Sequence, residues 1–124
     1  MEKSGQHYGI TQVKFSKDGH LLYTSQRNCN ELKVYDIRNS SIPFDIIRNN
    51  NTNQRCYFDV DNILCFGDTD GNVSLYDQKV TRQFKGDGVV SSVGIGNDCI
   101  AACFGSRQFM FDDCFESYIN IYNI

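Results

Sequence analysis

Three short stretches decide the fold: "ELKVYDIR" (Glu31–Arg38), "NVSLYDQK" (Asn72–Lys79) and "YINIYNI" (Tyr118–Ile124). Each alternates apolar and polar residues with the two-residue period of a strand, and each closes on Tyr followed by Asp or Asn. The tyrosines, Tyr35, Tyr76 and Tyr122, stand 41 and 46 residues apart. That spacing fits the roughly 40–45-residue period of a four-stranded propeller blade.

Working outward, the flanking segments complete the same plan. In the first repeat "ITQVKF" (Ile10–Phe15) alternates, "SKDGH" supplies an Asp-Gly turn and "LLYTS" returns as a hairpin. Pro43 then precedes "FDIIR", which reads as an outer edge strand because proline cannot donate to an interior ladder. The second repeat runs "RCYFDV", "ILCFGD", a turn at "TDGN", "VSLYD" and "VTRQF". The third has "VVSSVGI", "CIAACFG", an insertion around "SRQFMFDDCFES" and "YINIYN", with no outer strand after it. No helical stripe is readable. The expectation is an all-β chain: a blade over 1–48, a second over 49–87 and an incomplete third over 88–124.

A blade cannot bury both of its faces alone, and closed propellers contain about four to eight blades. About three blades make a partial propeller, completed by remaining blades or another chain. Alone, it exposes apolar blade faces and tends to self-associate.

Composition sets the other bounds. A hydrophobic fraction of 40% with 22% charged residues is that of an ordinary globular domain. A net charge of −3 argues against a surface that is basic throughout, though not against a local basic patch. The six cysteines sit mainly among strand-like apolar residues, and "EKSGQHYG" after Met1 is no signal peptide, so free packed thiols are expected rather than disulfides or zinc. Cys99 and Cys103 lack the tight knuckle and second pair of a zinc site. No run approaches the roughly 18 apolar residues of a membrane span. With two histidines, no nucleophile elbow and no phosphate-cradling glycine loop, the expectation is a non-enzyme without metal or cofactor.

The repeats resemble those of WD-repeat proteins. In that family Gly-His precedes the first strand, Asp occupies the turn between the second and third strands, and Trp-Asp closes the third. Here "GQH" (Gly5–His7), Asp70 in "TDGN" and the pairs Tyr35-Asp36 and Tyr76-Asp77 take those places in pieces, with Tyr as a tolerated variant of Trp. The resemblance implies a WD40-type β-propeller segment with structural roles for His7, Asp70, Tyr35, Asp36, Tyr76 and Asp77. A closer resemblance, over roughly residues 5 to 124, lies in "GITQVKFSKDGHLLYTSQRNCNELKVYDIR" followed by "TNQRCYFDVD" (Thr52–Asp61). These look like the C-terminal blades of the telomerase Cajal body protein family, where Thr-Asn-Gln-Arg and an aromatic-Phe-Asp strand open one blade. "GSRQFMF" (Gly105–Phe111) is similar to a turn after the second strand of the last blade.

What this resemblance implies is binding to the terminal-loop box of small Cajal body RNAs and telomerase RNA. It implies delivery of those particles to nuclear Cajal bodies and support of telomere synthesis by the telomerase holoenzyme. The alternative is a WD-repeat scaffold that binds proteins only. For RNA the candidate residues are Asn53, Gln54 and Arg55, with Arg27 and Arg107 in turns after the second strands of their own blades. Arg offers a planar five-donor fork for a phosphate or a guanine edge, and Asn and Gln can each donate and accept. The competing role for Arg55 is a blade-junction lock that pairs with Asp59 or Asp61. His7 reads as a structural histidine, and Tyr57 and Phe109 as core aromatics before stacking partners.

Overall fold

The computed structural model describes residues 9–38, 44–50, 56–106 and 116–124. It is all-β: eleven strands in three antiparallel sheets, with no helix among the described residues. The first sheet is β1 (Ile10–Phe15), β2 (Leu21–Gln26), β3 (Glu31–Asp36) and β4 (Phe44–Ile47), paired in chain order. The second is β5 (Asp59–Val60), β6 (Leu64–Gly67), β7 (Asn72–Tyr76) and β8 (Val80–Lys85), also in chain order. The third has three strands, β9 (Val89–Ile95), β10 (Cys99–Ser106) and β11 (Glu116–Asn123), with β10 in the middle. Three up-and-down sheets packed face against face make a WD40-type propeller segment. His7 lies outside the described residues.

The middle sheet shows how the packing is encoded. All four residues of β6, Leu64-Cys65-Phe66-Gly67, are buried, because alternate side chains leave opposite faces and each face has a neighbour. Leu64 and Phe66 join Leu32, Val34, Ile46 and Phe58 in a core between the first and second sheets. Cys65, with Val73 and Leu75 of β7, joins Val90, Val93, Ile100, Ala102 and Phe104 in a second core against the third sheet. Each fully buried Leu, Val, Ile or Phe is worth roughly 1.5–3 kcal/mol of transfer free energy. Two stacked aromatic pairs extend the second core: Phe84 on Tyr122 at 4.3 Å, and Phe104 on Tyr118 at 5.0 Å between ring centroids. The five described cysteines are free thiols, and burial pushes that of Cys65 up to about 12.

At the first strands polar bonds add to the apolar packing. Gln12 behaves as a surrogate strand: its Nε2 donates to the Phe58 carbonyl and its Oε1 accepts from the Phe58 N–H, both at 2.8 Å. On the other side the Tyr57 N–H donates to the Ser91 carbonyl at 2.9 Å. These bonds explain why β5 spans only Asp59–Val60, whereas the sequence reads as a strand over the whole of "RCYFDV". Residues 57 and 58 direct backbone groups to the neighbouring sheets, so the ladder with β6 is confined to Asp59↔Cys65 and Val60↔Leu64. Asp59 then links all three sheets. Its carboxylate pairs with Lys14 of β1 and accepts from the Ile95 N–H of β9 at 2.9 Å.

Two measurements check this packing. A methyl on Gly67 would collide with Cβ and Cγ1 of Val90 across the second core. Gly67→Ala is therefore expected to lower stability in urea unfolding by about 1–3 kcal/mol. Gly94→Ala, where an added Cβ meets no atom within 4 Å, shifts it by less than about 0.5 kcal/mol. The second concerns pH. Partial burial acts to raise the pKa of Asp59, but Lys14 and the N–H groups of Ile95 and Val60 outweigh it and hold the carboxyl below its usual range. A lowered folded pKa contributes stability that is complete above the unfolded value, about 3.9, and is lost as pH falls through the folded value. The urea midpoint should fall below about pH 4, and Asp59→Asn should make that fall shallower. The remainder comes from groups such as Asp18 and Asp36, held low by the His20 backbone N–H and the Arg38 guanidinium.

Candidate nucleic-acid interface

At one rim of the segment three pieces of chain meet: the β2–β3 turn (27–30), the β6–β7 turn (68–71) and residues 48–50 after β4. Their contacts are specific. The Arg48 N–H donates to the Asn30 carbonyl at 2.9 Å, and the Thr69 N–H to the Asn49 carbonyl at 2.8 Å. The three residues after β4 are thus held between the turns of two blades.

Two of the three are buried polar side chains, Arg48 at 4% exposure and Asn50 at 1%. Arg48 Nη1 donates to the Gly67 carbonyl at 3.0 Å, and Nη2 to Ser25 Oγ at 2.7 Å and the Cys56 carbonyl at 3.1 Å. One planar guanidinium therefore joins β2, β6 and the chain entering β5. Its bonded acceptors are all neutral. Burial consequently pushes its pKa below the ordinary arginine value, against the attraction of Cys56 and Asp68. Asn50 Nδ2 donates to the carbonyls of Gln26 and Cys29 at 3.1 and 3.2 Å, while its N–H donates to Asn30 Oδ1 at 2.8 Å. Arg27 Nε, Arg48 Nε and Asn50 Oδ1 are the buried side-chain polar atoms without a hydrogen-bond partner among the described residues, and all three lie at this rim.

Asn53, Gln54, Arg55 and Arg107 lie outside the described residues. Their flanks do not. Asn50, before the Thr52–Arg55 tetrapeptide, and Cys56, after it, are both fixed by the bonds above. Arg27 sits half-buried in the β2–β3 turn, where its N–H donates to the Gly9 carbonyl at 3.2 Å and Asn28 takes a left-handed φ of 49°. Strand β10, which precedes Arg107, ends on the same rim as β2 and β6 because all three are second strands of their sheets. Of the acidic residues weighed as partners of Arg55, Asp59 pairs with Lys14, and Asp61 with Lys17 at 3.4 Å.

The residues expected to be structural divide in their surroundings. Asp70 accepts from Asn49 Nδ2 across the blade junction. Asp68 builds the turn itself: its Oδ1 accepts from the N–H groups of Asp70 and Asn72, and its Oδ2 from Asn72 Nδ2, each at 2.9 Å. Tyr76 packs beside Phe66 with ring centroids 6.5 Å apart, whereas Tyr35 is 37% exposed. Asp36 makes a two-pronged pair with Arg38, and the Asp77 N–H donates to the Lys79 carbonyl. Arg48, Asn50 and Asp68 carry the rim, and sequence reading passed over them. Arg48 and Asp68 close the segments "FDIIR" and "ILCFGD", and Arg and Asp are seldom fully buried.

On the opposite rim a cleft of about 500 Å³ opens between the first two sheets. Lys17, Asp18, Tyr23, Phe44, Tyr76 and Asp77 are among the residues that line it. Among the described residues no cluster of His, Cys, Asp or Glu could hold a metal ion.

The guanidinium bridge yields a direct expectation. Arg48→Met strands acceptors on both sheets and should cost about 3 kcal/mol or more in urea unfolding. Arg48→Lys should recover little, because an ammonium on a flexible stem cannot replace the planar fork.

No protein-family model matches the chain. Among curated proteins it is 39% identical over 77 residues to telomerase Cajal body protein 1 of Homo sapiens, and 38% identical over 77 residues to those of Mesocricetus auratus and Mus musculus. Each match covers 59% of this chain, a shorter span than the motifs suggested, and the chain spans 14% of the relatives' length. With three sheets of propeller form behind it, the chain resembles telomerase Cajal body protein 1, a WD-repeat protein, over a limited region.

Proposed function

We propose that the chain is a non-catalytic propeller segment that helps bind a small structured RNA and keeps its ribonucleoprotein in nuclear Cajal bodies, in support of telomere maintenance. The observation that carries this reading is the buried clamp of Arg48 and Asn50. It fixes both flanks of the Thr52–Arg55 tetrapeptide on the rim that also bears the Arg27 turn. Fixed flanks pre-organise a binding surface, and preorganisation lowers the cost of association. RNA loops are read by such displays, through donors and acceptors on splayed bases and guanidinium groups on phosphates and base planes. The likeness to telomerase Cajal body protein 1 supports the same direction.

The second reading, a scaffold for protein partners alone, draws on the opposite rim. The cleft there mixes apolar, aromatic and charged walls of both signs, a lining suited to a peptide rather than to a polyanion.

Fluorescence anisotropy separates the two. A labelled hairpin bearing the terminal-loop box should bind the protein more tightly than a scrambled loop, and binding should weaken with added salt as phosphate contacts release counterions. Arg55→Ala and Arg27→Ala should each weaken binding by at least about fivefold at fixed salt. Equal affinity for both hairpins would dispose of the RNA reading and leave the scaffold.

A further inference from the structure

The cleft of about 500 Å³ between the first two sheets has a chemistry unlike that of the Arg48 rim. Its volume falls within the roughly 300–1,000 Å³ of ordinary ligand sites. Its inner wall is aromatic and aliphatic: Tyr23 and Phe44 come from the first sheet, Val60 and Tyr76 from the second. Phe44 is 49% exposed, so one ring of this wall is open to a ligand.

The mouth is acidic, and three turns supply it. The β1–β2 turn brings Lys17 and Asp18, the β5–β6 turn Asp61 and the β7–β8 turn Asp77. Lys17 and Asp61 cancel as a pair at 3.4 Å. Asp18 and Asp77 remain, one from each blade. The His20 N–H and the Ser16 hydroxyl donate to the Asp18 carboxylate at 2.9 and 2.8 Å and hold its pKa below the usual range, so it is ionised at neutral pH. His20 Nδ1 stands 3.5 Å from the same carboxylate, and Arg38, the nearby guanidinium, is bonded twice to Asp36. Asp77 is exposed, and among the described residues no ion pair holds it. Both carboxylates bear on one aromatic hydroxyl: burial foremost, then Tyr76, Asp18 and Asp77, push the Tyr23 phenol above its ordinary value.

We propose that this cleft receives an arginine side chain of a partner peptide, its stem on the rings of Tyr23, Phe44 and Tyr76 and its guanidinium between Asp18 and Asp77. A polyanion is repelled by both carboxylates, and a wholly apolar segment would strip water from them without replacing its hydrogen bonds. A side chain with an apolar stem and a cationic end suits both the wall and the mouth. The guanidinium is flat, stacks on aromatic faces and has donors enough for two carboxylates at once. This extends the protein-partner reading with a site and a ligand, and it stands apart from RNA binding on the other rim.

Amide NMR spectra of the full chain, titrated with a short blocked peptide of glycine and alanine around one arginine, test it. Saturable shifts are expected at Lys17, Asp61, Tyr76 and Asp77 and not at Arg48 or Asn50. The same peptide with citrulline, which keeps the shape and lacks the charge, should bind at least about tenfold more weakly. Asp77→Asn should weaken the arginine peptide at least about threefold. Asp98→Asn, the same charge change on the β9–β10 turn outside the cleft, should leave its affinity unchanged. No saturation at millimolar peptide, equal affinity for the citrulline peptide, an Asp77→Asn variant that binds as the parent does, or equal losses in Asp77→Asn and Asp98→Asn would each overturn the proposal. Shifts in the cleft on adding the RNA hairpin alone would also overturn it and assign the cleft to a polyanion. If Asp77→Asn alters the far-UV circular dichroism, Asp18→Asn takes its place and is read in the same way.

Discussion

A four-stranded antiparallel sheet has two faces and no interior, so Leu64 and Phe66 on one side of β6 and Cys65 on the other are buried only because a sheet lies against each face. Everything else in this chain follows from that dependence. The strands are short, and their apolar residues fall at alternate positions. Neither the first sheet nor the third has a core of its own.

Apolar faces alone leave the sheets free to slide, and polar bonds remove that freedom. Gln12 pairs with the backbone of Phe58 as a strand would, the Asp59 carboxylate reaches the first and third sheets together, and the Arg48 guanidinium closes the rim between the first and second. Hydrogen bonds need distance and direction, whereas dispersion tolerates many registers. The density of the core adds a steric limit at Gly67, where the second and third sheets approach too closely for a side chain.

The same clamp joins architecture to the proposed activity. Arg48 and Asn50 are spent on the junction, since their bonded partners are carbonyls, a hydroxyl and a side-chain amide within the chain. In the proposed RNA reading, what their bonds hold are Cys56 and the residues after β4, the flanks of the Thr52–Arg55 tetrapeptide, beside the turn of Arg27. A rim built from turns of successive blades places equivalent positions side by side, which is how a propeller gathers residues remote in sequence into one surface.

Much of this was legible in the residues. Alternation and the Tyr-Asp spacing determine the strands, the all-β class and the repeat, because side-chain direction in a strand has a period of two whatever the surroundings. "TNQRCYFDVD" marked both the candidate site and the resemblance. The tertiary structure alone decided which polar residues are interior. Arg48 and Asn50 are buried because neighbours up to 24 positions away supply the carbonyls and hydroxyl they bind, whereas the Asp68 carboxylate accepts N–H groups of its own turn. It alone decided the two-residue length of β5, whose preceding residues bond to the adjacent sheets instead of their own. A one-dimensional pattern records which way a side chain points; whether a sheet, a carbonyl or solvent stands there is settled only when the blades meet.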